Sequence, residues 1–297
     1  MSGVDRGEGG LEGSRSAQQV LEAESRRGAG IPTFCRELDG ALGGGVKLGQ
    51  VTEFCGVPGV GKTQLGMQLA VDALMPGEFG GLGGEAVYVD TEGSFTADRC
   101  LDLARAARGH MDRRAAAHPD EGVRASLQAA AAGFDPEEAL GRITYYRTHD
   151  YAEQLALVAH LPQLLGERPR ARVVIIDSVS FHFRVGFTDL GKRSRVLAQM
   201  AQSLMSAADK HDVAVVLMNQ VTTRVSPGGG PARLVPALGD SWGHCATSRV
   251  ILFWKDGQTY AHLHKCPFRP SATVPYCVTE EGIRDRRASR KRHLGES

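Results

Sequence analysis

Eight consecutive residues constrain this chain more than any others: Gly56-Val57-Pro58-Gly59-Val60-Gly61-Lys62-Thr63, a full G-x-x-x-x-G-K-[ST] pattern. A strand is expected at Val51–Cys55 before it, and a helical pattern covers about residues 62–74 after it. Glycines let successive N–H groups turn inward around a phosphate, and the amino end of the helix adds positive potential. Lys62 is spaced to reach β- and γ-phosphates, and Thr63 to set its hydroxyl on Mg²⁺. A strand, a glycine loop and a helix in that order demand an α/β architecture.

The remaining pattern agrees. Strands are expected at Glu85–Asp90, Ile143–Arg147, Arg172–Asp177 and Val213–Met218, with helices at Ala97–Ala107, Asp150–Leu165 and Leu190–Asp209. The Ala/Arg-rich stretch to about Ala132 reads as a peripheral helix pair. Asp150 followed by Glu153 resembles a capping box. Four apolar residues in a row before Asp177, Val173 to Ile176, suit a parallel sheet covered on both faces. Beyond Thr247, Val250–Trp254, Tyr260–His264 and Thr273–Val278 are joined by short connections, as in an antiparallel extension. Residues 1–30 are polar and expected to be mobile, 31–283 to form the core, and 284–297 to be a basic tail. Met200, Met205 and Met218 read as core residues.

Composition excludes several classes of function. The 35 Lys+Arg against 34 Asp+Glu leave a net charge of +1, so any nucleic-acid site has to be a local patch. No apolar run approaches the ~18 residues of a membrane span, and the acidic first thirty residues fit neither a signal nor a transit peptide. Six scattered cysteines without a Cys-x-x-Cys pair read as buried thiols of an intracellular protein. His262, His264 and Cys266 alternate along a strand, but without a nearby fourth ligand they read as structural. His244-Cys245 lacks a partner at nucleophile spacing.

The loop requires an acid at a neighbouring strand tip to hold magnesium. Asp177 is the choice, with Asp90 as competitor. Glu92, in Asp90-Thr91-Glu92-Gly93-Ser94-Phe95, is suited to orient or deprotonate a water attacking the γ-phosphate; the alternative is an N-cap of the next helix. Asn219-Gln220 offers amide donors for sensing the γ-phosphate, or a turn asparagine.

Together, Val57 to Asp72, Tyr88 to Phe95, the Asp177 strand and Asn219-Gln220-Val221 resemble the RecA-like recombinases of eukaryotes. Leu42 to Val46, Gly84 to Val87 and Leu234 to His244 place the resemblance closest to the paralogue branch labelled C, over about Thr33 to Asp285. The resemblance implies a single RecA-type core and a DNA-dependent ATPase acting with ATP and Mg²⁺ in homologous recombination and double-strand break repair. It also implies single-stranded or branched DNA as partner, sister paralogues in a hetero-oligomer, and a nuclear location. By the same resemblance residues 56–63 bind ATP, Asp177 is the metal-shell acid, Glu92 the catalytic glutamate and Gln220 the γ-phosphate sensor. Arg99 falls where the family stacks a side chain on adenine. Two mobile loops, roughly 183–195 and 221–240, face DNA in the family; Arg184, Lys192, Arg193, Arg195, Arg224 and Arg233 are the expected phosphate partners.

Family members usually carry a small N-terminal helical domain, and the thirty polar residues before Ile31 are too few for one. The basic run from Arg284 to Arg292 reads as a nuclear import signal or a solvated tail. Two other functions stay open: a nucleotide-gated assembly scaffold with little turnover, and a small-molecule kinase, for which no Arg-rich acceptor lid is found.

Overall fold

A computed structural model describes residues 16–18, 30–184, 187, 189–224 and 233–286. The elements, in order, are β1 (Gly30–Ile31), α1 (Arg36–Leu42), β2 (Val46–Lys47), β3 (Val51–Gly56), α2 (Lys62–Asp72), β4 (Glu85–Asp90), α3 (Ala97–Ala116), α4 (Glu121–Ala132), α5 (Pro136–Leu140), β5 (Ile143–Arg147) and α6 (Tyr151–Glu167). Then follow β6 (Ala171–Asp177), α7 (Leu190–His211), β7 (Ala214–Arg224), β8 (Arg233–Pro236), β9 (Ser248–Lys255), β10 (Gln258–Lys265), β11 (Ala272–Thr279) and β12 (Gly282–Arg284). Strand order across the main sheet is β12-β11-β10-β9-β3-β7-β6-β4-β5, with β8 paired to β7. From β9 to β5 the pairs are parallel, and β9 to β12 pair antiparallel.

Strand alternation splits the core between two faces. Phe54, Tyr88, Ile175 and Val216 pack with α2 and α3, while Val87, Val174, Ile176 and Val215 pack with α6 and α7. Helix α2 is buried continuously from Leu65 to Asp72, as expected of a helix wedged between the sheet and α3. Its Gln68 reaches two distant segments: Nε2 donates to Thr33 O and Oε1 accepts from Ile283 N. Gly282, at φ 108°, makes room, because a Cβ there would stand 2.2 Å from Gln68 Oε1.

Three segments differ from expectation. Helix α3 does not stop at Ala107 but runs to Ala116, because the buried stripe Cys100, Leu103, Ala104, Ala107, Met111, Ala115 keeps helical spacing throughout. Strand β7 continues through Asn219-Gln220 to Arg224, and β8 pairs back on it with Val221 opposite Pro236. The expected 221–240 loop is therefore a hairpin within the described residues; the β-branched Val221-Thr222-Thr223 run favours that outcome. Met205 is exposed, whereas Met200 and Met218 are buried.

At the start of α6, Asp150 Oδ1 accepts from Glu153 N at 2.8 Å. Glu153 reaches back to His149 N rather than to the cap residue's own amide. Arg284, expected to begin the tail, instead closes β12 with its guanidinium 4.7 Å from the Phe34 ring centre. Residues 287–292 of the basic run lie outside the described residues.

Candidate nucleotide-binding site

Sheet register brings the candidate residues together. Gly56 on β3 lies opposite Gln220 on β7, and Asp90 on β4 opposite Asp177 on β6, so the carboxyl ends of β3, β4 and β6 line one edge with Gln220 of the longer β7. Gly59 and Gly61 take left-handed φ values of 79° and 99°, which the loop's turn requires. Gly61 caps α2 without a side-chain hydrogen bond, and no acid stands in the first turn. A Cβ at Gly59 would meet nothing within 4 Å, whereas one at Gly61 would strike Val278 at 2.8 Å. Tyr276 pins the loop from β11, its hydroxyl donating to Val60 O at 2.6 Å.

A cavity of about 300 Å³ is lined by Pro58, Gly59, Gly61 to Gln64, Glu92, Asp177 and Gln220. Lys62 Nζ donates to Gly56 O at 2.9 Å and Val57 O at 3.0 Å. Burial draws its pKa below the ordinary lysine value, against the opposing pull of Asp177 and Glu92. An uncapped helix end, a cation, a hydroxyl and a buried acid form a donor set that fits a triphosphate with Mg²⁺.

The carboxylates divide their work. Asp177 is buried, which pushes its carboxyl above the usual range, while hydrogen bonds from Thr63 and Tyr88 pull it back. Asp90 is fully buried; it accepts from the backbone N–H groups of Glu92, Gly93, Ser94 and Phe95 and from the Tyr145 hydroxyl. Arg147 adds an ion pair at 3.6 Å, so this carboxylate is committed to shaping the 92–95 turn and its candidacy for the metal falls. Glu92 does not cap α3. Its Oε1 accepts from Ser178 Oγ at 2.6 Å and Gln220 Nε2 at 3.1 Å.

A Rad51 family model matches residues 26–126 and 121–286. This chain belongs to the Rad51 family. It is 47% identical over 270 residues to "DNA repair protein RAD51 homolog 3" of Cricetulus griseus, spanning 91% of this chain and 72% of that protein. A protein of the same description from Dictyostelium discoideum is 40% identical over 257 residues, spanning 86% of this chain and 65% of its own length.

Several contacts differ from the sequence-based expectations. Asn219 points away from the cavity: Nδ2 donates to Glu53 Oε1 at 2.7 Å, beside Trp242 Nε1 at 2.9 Å and Arg249 Nε at 2.6 Å to Oε2. It is neither a phosphate donor nor a turn residue, because strand alternation turns it opposite to Gln220. Arg184, expected on DNA, donates to Gln220 Oε1 at the cavity. Lys192, Arg193 and Arg195 lie on the opening turns of α7, not in a loop; Arg193 Nε bonds Phe183 O at 3.0 Å, while Lys192 and Arg195 are exposed.

The side chains of Arg224 and Arg233 lie outside the described residues, as does the glycine-rich 226–231 stretch between them. Arg99 bonds Gln64 Oε1 at 2.7 Å and the Thr279 and Glu280 carbonyls, so it borders the loop through the side chain next to Thr63. Ser178, Tyr88 and Tyr276 were not anticipated. A hydroxyl directly after the Asp177 strand was a readable signal for the first; the other two act across 89 and 216 residues of sequence.

Among the described residues, none groups with others to hold a metal through three or more His, Cys, Asp or Glu side chains. No described helix is long and apolar enough to cross a membrane.

Proposed function

We propose that this chain is an ATP-dependent, DNA-binding recombination factor that acts in homologous recombination and double-strand break repair, in the nucleus, within a hetero-oligomer of sister paralogues. The observation that carries the proposal is the convergence of Lys62, Thr63, Asp177, Glu92 and Gln220 on one cavity beneath a glycine loop. When bound, magnesium would supply positive charge to offset that of the phosphates. Thr63 and Asp177 would hold it, Asp177 through water, and Lys62 would exchange its two carbonyl partners for phosphate. Both hydrogen bonds to Glu92 fall on Oε1, which leaves Oε2 to orient or deprotonate the attacking water. Gln220 senses the γ-phosphate from β7, and Arg99 takes the adenine side.

Binding of a fluorescent ATP analogue tests the site. Lys62→Ala is expected to lose about ten- to hundredfold in affinity, the size of a charge-assisted hydrogen bond set. Unchanged binding by that variant would remove the loop from the assignment. Turnover stimulated by single-stranded DNA supports the enzyme, and tight binding with negligible turnover makes the chain a nucleotide-gated scaffold instead.

For DNA, the exposed Lys192 and Arg195 support contact at the opening of α7. Cations there oppose the helix dipole, and that local cost is offset if they meet phosphate. Reversing both charges is expected to flatten the salt dependence of single-strand affinity, by about 0.7 in log–log slope per lost contact. An unaltered slope would place the DNA elsewhere.

A further inference from the structure

Resting on that reading of the cavity, the geometry points to Tyr88 as the positioning residue that fixes the orientation of the magnesium-holding carboxylate of Asp177. Tyr88 stands on β4 opposite Ile175 of β6, with its ring on the α2 face of the sheet. From there its hydroxyl reaches two residues along the neighbouring strand and donates to Asp177 Oδ2 at 3.0 Å. The whole side chain is buried, and the Phe95 ring, 4.8 Å away, holds its plane.

Asp177 thus has two donors, Thr63 from the loop and Tyr88 from the sheet interior. In the proposed function the Thr63 hydroxyl belongs to the metal, so the Tyr88 bond is the one that persists and stops the carboxylate from rotating. Outer hydrogen-bond partners of metal-holding carboxylates act in this way, and losing one typically weakens metal affinity.

A second observation bears on the same contact. Gly66 sits inside α2, where glycine is less favourable than alanine. A Cβ at that position would stand 3.2 Å from the Tyr88 hydroxyl, 3.2 Å from Met218 Cε and 3.4 Å from Ile175 Cγ2. The helix gives up a side chain at the place where the hydroxyl passes to Asp177.

The test is a Mg²⁺ titration of fluorescent ATP-analogue binding to the full chain. Tyr88→Phe keeps the ring and its packing and deletes the donor. It is expected to raise the half-saturating Mg²⁺ about tenfold, with binding in EDTA unchanged. Gly66→Ala, which keeps every donor but crowds the hydroxyl, should shift the midpoint in the same direction by a smaller factor. In an Asp177→Asn background, Tyr88→Phe should add nothing further, since the cycle isolates the pair. A Tyr88→Phe midpoint equal to wild type, or an equal shift in the Asp177→Asn background, overturns the assignment. If wild-type binding itself ignores Mg²⁺, the reading of the cavity falls first and takes this inference with it.

Discussion

Glu92→Gln is expected to cut ATP turnover about a thousandfold while leaving nucleotide affinity within a few-fold of wild type. The amide keeps the shape of the side chain and can still meet Ser178 Oγ and Gln220 Nε2 through its carbonyl oxygen, so the cavity wall survives. What disappears is the basic oxygen that the proposed function assigns to take a proton from water. Single-turnover measurement separates the two effects: binding amplitude should persist as the chemical rate collapses. If turnover stays within about threefold, well inside the smallest loss that general-base deletion causes, Glu92 is a wall and not a base.

Arg249→Met should be the most damaging substitution outside the cavity, costing about 3–5 kcal/mol of stability. Glu53 is fully buried on β3 and receives three donors, from Asn219, Trp242 and Arg249. Removing the guanidinium strands a charge in the interior, and the two remaining donors are neutral. Chemical denaturation gives the size of the loss. Adding Glu53→Gln to Arg249→Met should recover part of it, because the amide oxygen still accepts from Trp242 while the charge is gone. A denaturation midpoint equal to wild type for Arg249→Met would show that the pair carries no such energy.

What was legible in the sequence was local. Residues 56–63 announce themselves because every glycine answers a backbone demand within eight positions. Asp177, Glu92 and Gln220, which line one cavity, each stand at or just past an apolar run. The functions of Asp90 and Asn219 were not legible, because strand parity and the path of the following turn decide them. Asp90 faces four amides of its own turn, and Asn219 faces Glu53, 166 residues earlier. Arg184 looked like a DNA contact by charge and place in the chain, yet its partner is the amide of Gln220, set by how the segment after β6 folds toward β7. The length of α3 was readable and underestimated: the alanine-rich composition suggested a surface, while the spacing of Met111 and Ala115 already indicated a buried stripe.

The glutamine at position 68 joins Thr33 and Ile283 on the helix that begins at the phosphate loop. The helix that opens at the loop and the two outlying segments bonded at its middle therefore belong to one packed unit. A molecule that binds only the folded chain at the loop stabilises that unit as a whole, by the ordinary coupling of occupancy to folding.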